Sequence, residues 1–144
     1  MIRRLLLYTT LFLLFGNATA ACLPGWKYNR AITVGNTNAA AYTNLQVKVI
    51  VNTQALIAAG KMKANGDDIR FTDSLCNNLH YWIDSNLNTT STVIWVKVNN
   101  IAASASKTIY MYYGNYCAVP AQNGDSTFML FDPFDGSSIN AGKW

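Results

Sequence analysis

The chain has 144 residues, of which 51% are apolar and only 12% charged. So little charge excludes a disordered tail or a coiled coil. The formal net charge is +4, and beyond the Arg3-Arg4 pair the cations are scattered singly, with no basic stripe, which argues against a dedicated nucleic-acid surface.

Residues 1–20 read as a secretory signal peptide. Arg3 and Arg4 form the positive start, Leu5 to Phe15 is an apolar run too short to span a bilayer, and Ala18-Thr19-Ala20 supplies the small-x-small cleavage pattern. Cleavage is expected between Ala20 and Ala21, or just before Cys22. Ala20-Ala21-Cys22 also resembles a lipoprotein signal, but Thr19 stands where Leu is usual. A membrane is therefore a partner only if Cys22 is lipidated. Export favours disulfides, and three cysteines leave one thiol over. The expected pair is Cys22–Cys76, which staples the free N-terminus to an internal turn. Cys117 is then the spare thiol.

The mature chain reads as short strands between Asn, Gly, Ser and Asp clusters. Lys27–Val34 is a first strand, stopped by Gly35-Asn36. Leu45–Val51 alternates, with Leu45, Val47, Val49 and Val51 on one face. Asn52 or Thr53 caps one short helix, Gln54–Ala59, that ends at Gly60. Asn65-Gly66 is a turn. Further strands lie at Asp68–Asp73, Leu79–Asp84, Thr92–Asn99 and Lys107–Gly114, and Phe128–Phe134 is a last apolar run. The pattern predicts an all-β antiparallel sandwich, jelly-roll-like, with one short helix. The expected division is a signal peptide at 1–20, a β-sandwich at 21–127, and the truncated start of a second domain at 128–144.

Signatures of catalysis are missing. There is no G-x-S-x-G elbow, His80 is the single histidine, no C-x-x-C occurs, and the seven Asp fall mostly in turns rather than as an obvious carboxylate pair. Asp67, Asp68 and Asp73 form a conceivable calcium set, but their spacing is not an EF-hand loop and they read better as turn and strand-end residues. Asn88-Thr89-Thr90 matches a glycosylation sequon and is read as a turn. No catalytic residue, metal or cofactor is expected, and the chain is not read as an enzyme.

Aromatic patterning is sharper. Alternation puts Leu79, Tyr81 and Ile83 on one face, with Ile94, Val96, Val98, Ile109, Met111 and Tyr113 to match. If the three strands are neighbours, the other face carries His80, Trp82, Trp95, Lys97, Tyr110 and Tyr112. Trp82, Trp95, Tyr110 and Tyr112 would then form a platform for sugar faces, since such rings join flat apolar area to polar handles. The competing reading is packing, against a second sheet or a downstream domain.

Five segments together resemble the bacterial and archaeal domain of unknown function 2341: Gly25–Arg30, Asn65–Asp73, Tyr81–Ile83, Ile94–Val98 and Ile109–Asn115. The likeness spans Cys22 to about Gln122; Asn29 departs from it by separating Tyr28 from Arg30. Phe131-Asp132-Pro133-Phe134-Asp135-Gly136-Ser137-Ser138, with Lys143-Trp144, is similar to the start of a concanavalin-like or laminin-G-like domain, departing at Pro133. These resemblances imply the first module of an exported modular protein, secreted or at the cell surface. They imply no activity. The expected function is non-catalytic binding of a glycan or cell-surface partner. The alternative is a structural spacer that supports the downstream domain, and an enzyme would need residues beyond Trp144.

Overall fold

A computed structural model describes residues 22–85, 87–134, 136 and 141–143. The expected signal peptide and its expected Ala20–Ala21 cleavage site lie outside the described residues. The elements in chain order are β1 (Tyr28–Gly35), β2 (Tyr42–Val51), α1 (Thr53–Ala58), β3 (Arg70–Asp73), β4 (Asn78–Leu79), β5 (Tyr81–Ser85), β6 (Thr92–Ile101), β7 (Ser106–Tyr113) and α2 (Gly124–Thr127). They form two antiparallel sheets, ordered β1-β7-β3-β4 and β2-β6-β5.

The expected aliphatic rows make the core. Ile94, Val96 and Val98 of β6 face Ile109 and Met111 of β7 across the sandwich, all five with no exposure. Each such side chain contributes roughly 1.5–3 kcal/mol when fully buried. β6 and β7 lie in different sheets, so their apolar rows meet across the core rather than side by side. The 102–105 link therefore crosses between sheets and is not a hairpin. The predicted strand Leu79–Asp84 is likewise broken at His80, with β4 in one sheet and β5 in the other. Asn52 caps α1 by accepting from the Ala55 N–H at 2.9 Å, and Gly60 takes φ +60° just beyond the helix.

Two aspartates tie loops to this frame. Asp68 is fully buried and accepts from the backbone N–H of Lys63 (3.1 Å) and of Gly114 (2.7 Å), joining the loop after α1 to the end of β7. Gly114 has φ +89°, and a Cβ there would stand 2.6 Å from the Tyr28 ring. Asp73 organises the turn after β3: its Oδ1 accepts from the N–H of Leu75 and Asn77, both at 2.9 Å, and its Oδ2 from the Asn77 amide at 3.0 Å. That turn carries Cys76, which is bonded to Cys22. Cys117 is a free, exposed thiol. With its sulfur in the disulfide, Cys22 has none left for a lipid thioether.

These contacts lead to three expected outcomes. The Cys22–Cys76 bridge closes a separation of 54 residues, so replacing both cysteines by Ser should lower stability by about 2–5 kcal/mol in urea melts. The folded parent should release one thiol equivalent to an aromatic disulfide reagent, and Cys117→Ser should abolish it. For Asp73, burial raises the carboxyl pKa, but the hydrogen bonds from Asn77 and Leu75 and the Lys107 charge outweigh it and hold it below 3.8. The folded pKa is depressed, so this stabilisation is present above pH 3.8 and is lost as pH falls through the folded value. Denaturant melts from pH 6 downward should show the parent's advantage over Asp73→Asn shrinking below about pH 4.

Candidate functional site

Trp82 and Trp95 are cross-strand partners on the outer face of β5 and β6. Their neighbourhood differs from the expected platform. β7 lies in the other sheet, paired with β1 and β3. Tyr110 and Tyr112 therefore sit on the opposite side of the sandwich and share no surface with the tryptophans. Tyr112 is 3% exposed, its hydroxyl accepting from the Cys22 N–H at 3.2 Å, and Tyr110 is half-buried. The structure brings together two of the four rings, Trp82 and Trp95, because alternation fixes faces within a strand but not which strands adjoin.

The chain itself covers much of the Trp82–Trp95 pair. Residues 122–131 run back over β5 and β6. The Ile83 N–H donates to the Gln122 side chain at 3.1 Å, and the Asn123 N–H donates to the Tyr81 carbonyl at 2.9 Å, which occupies the edge of β5. Asn123 then caps α2, accepting from the Ser126 N–H at 2.9 Å. Lys97 donates to the Ser126 carbonyl and Gln46 to the Thr127 carbonyl, at 3.0 and 3.1 Å. This delivers Phe128 edge-on to Trp95 (centroids 6.0 Å) and Phe131 edge-on to Trp82 (4.6 Å), with the two Phe rings stacked at 5.7 Å. The Phe131 ring lies directly on Gly124, where any Cβ would collide with it. Lys143 closes the far side, donating to the Phe131 carbonyl at 2.7 Å and pairing with Asp125.

At the margin of this aromatic cluster a cleft of about 300 Å³ stays open, lined by Trp82, Asp84, Phe128, Leu130, Phe131, Asp132 and Phe134. Its wall is unusually apolar for a surface, with Phe134 69% and Leu130 53% exposed. The Asp132 side chain accepts from the Phe134 N–H at 3.0 Å, fixing a turn in which Phe134 has φ +52°. Two carboxylates thus border a pocket of ring faces. Sequence reasoning singled out Trp82 but not Asp84, Asp132 or Phe134 as its companions. The available signal was the helix start Asn123-Gly124-Asp125, which announces a turn of chain back onto the sandwich.

Asp67, Asp68 and Asp73 serve the fold. Asp67 accepts from the Asn65 amide at 2.6 Å and pairs with Lys63 at 3.4 Å, while Asp68 and Asp73 bind backbone N–H groups in different loops. His80 is exposed between β4 and β5.

The chain belongs to the family described as domain of unknown function (DUF2341), whose model matches residues 65–144. The match includes Phe128, Phe131 and the residues after them. No curated protein and no solved structure matches the chain.

The Trp95–Phe128 contact should be measurable. Trp95→Ala, Phe128→Ala and the double variant define a cycle in which the edge-on pair should show a coupling of about 0.5–1.5 kcal/mol in urea melts. Strictly additive losses would mean that Phe128 does not dock on β6 in solution.

Proposed function

We propose that this member of the family is a non-catalytic glycan-binding module of an exported modular protein, and that the cleft beside Trp82 is its sugar site. The observation that supports the reading is the combination at that cleft: the exposed Phe134 ring beside Trp82, together with the carboxylates of Asp84 and Asp132. A pyranose presents an apolar C–H face and a rim of hydroxyl donors. Aromatic faces remove the first from water while carboxylates accept from the second. Extracellular residence is supported by the Cys22–Cys76 disulfide, since such bonds persist in oxidising compartments. Among the described residues no helix is long and apolar enough to cross a membrane. The concanavalin-like continuation resembled by residues 131–138 belongs to the same proposal, with Phe131 itself closing the sandwich.

One observation favours the spacer reading instead: Phe128 and Phe131 occupy the tryptophan faces, so those rings serve to fasten residues 122–131. Phe134 and Asp84 separate the readings because both are exposed. Phe134→Ala and Asp84→Asn should leave the melting midpoint nearly unchanged, within about 0.5 kcal/mol. On a glycan array each should lower a parental signal by about tenfold or more, a difference of about 1.4 kcal/mol. A parent with no glycan signal, or variants that keep it, would leave the spacer.

A further inference from the structure

The two flanks of the sandwich are finished differently. On the β5 flank, Gln122 and Asn123 occupy the strand edge. On the opposite flank β1 pairs only with β7 and β2 only with β6 among the described residues. Both strands therefore present free backbone donors and acceptors to the same opening. Between them lies a cleft of about 400 Å³, floored by Ile32, Val34, Val47 and Val49, within the roughly 300–1,000 Å³ of ligand sites. The core runs out into this opening. Ile32, Val34 and Val47 remain half-buried, whereas Val96 and Ile109, one strand further in, have no exposure.

The charge at the opening has one sign. Arg30 shares the inward face of β1 with Ile32 and Val34, yet is exposed at the cleft, and Lys48 of β2 lines it too. No acidic residue lines the cleft. We propose that this flank is a docking site for an extended strand of a partner protein in which aliphatic and acidic residues alternate. The free edges pair with its backbone, the apolar floor takes every second side chain, and Lys48, on the opposite face of β2 from Val47 and Val49, meets the carboxylates between, with Arg30 adding positive charge at the mouth of the cleft. The site is separate from the Trp82 cleft and does not rest on the glycan reading.

The probe is a labelled, end-blocked peptide about eight residues long, a common strand length, alternating valine and aspartate, with a valine–lysine peptide as control. Fluorescence anisotropy with the exported chain should show saturable binding of the aspartate peptide only. Hydrogen exchange should slow at the amides of β1 and β2 and nowhere near Trp82. Arg30→Glu with Lys48→Glu should weaken the aspartate peptide about tenfold or more and admit the lysine peptide, a charge reversal that loss of fold cannot mimic. Both positions are exposed, so a matching thermal midpoint verifies folding. The proposal is overturned if the aspartate peptide fails to bind at millimolar concentration, if protection appears at the Trp82 cleft, or if a single-chain fatty acid binds where the peptide does not. It is also overturned if the free chain dimerises through these edges.

Discussion

The packing of residues 122–131 onto the outer face of β5 and β6 is the constraint on which the rest of the arrangement depends. A sandwich two layers deep buries one face of each layer; the outer face of the three-stranded sheet would otherwise expose Trp82 and Trp95 side by side. Aromatic edge-to-face contacts with Phe128 and Phe131 remove most of that area from water, and hydrogen bonds from Lys97, Gln46 and Ile83 hold the covering segment in register. The same segment occupies the β5 edge and builds the wall of the cleft. Site, edge protection and outer-face burial are thus three results of one docking event, and Gly124 is the position where the docking admits no side chain.

Much of this was legible in residue order. The aliphatic alternations of β2, β6 and β7 and the Asn52 cap arise from local rules that tertiary context did not override, and the long-range Cys22–Cys76 pair is one of the three pairings that three cysteines allow. What alternation lacks is any record of which strands adjoin. The short 102–105 link looks like a hairpin, yet it carries the chain from one sheet to the other, so the apolar rows of β6 and β7 meet across the core. That separated Tyr110 and Tyr112 from the tryptophans. Phe128 and Phe131 resisted reading for a different reason. They stand three residues apart outside any strand, so they carry neither a strand period nor a helix long enough to show its own.

Buried carboxylates play a part that composition obscures. A chain whose acids are all Asp suggests a wealth of solvated turns. Asp68 and Asp73 instead are buried and accept from backbone N–H groups, the means by which loops without secondary structure meet their hydrogen-bonding needs. Tyr81 serves the frame in the same way. Its hydroxyl donates to the Ile69 carbonyl at 2.7 Å, and burial, opposed by the nearby Arg70 charge, pushes its pKa up to about 12. Neutral at any physiological pH, it is a fixed strut between β5 and the segment before β3.

The Cys22–Cys76 bridge fixes how the chain answers a tension applied between Cys22 and the residues after α2. A pull applied at Cys22 is transmitted through the sulfur atoms to Cys76, so β1, β2, α1 and β3 lie inside a covalent loop that carries no load. Only the chain beyond Cys76 can lengthen under tension: β4 to β7 and the docked segment. The first ladder at risk is therefore not the N-terminal strand that meets the force but the late-sequence strands past the bridge. The extension available before the sulfur bond must yield is shortened by every residue between the two cysteines.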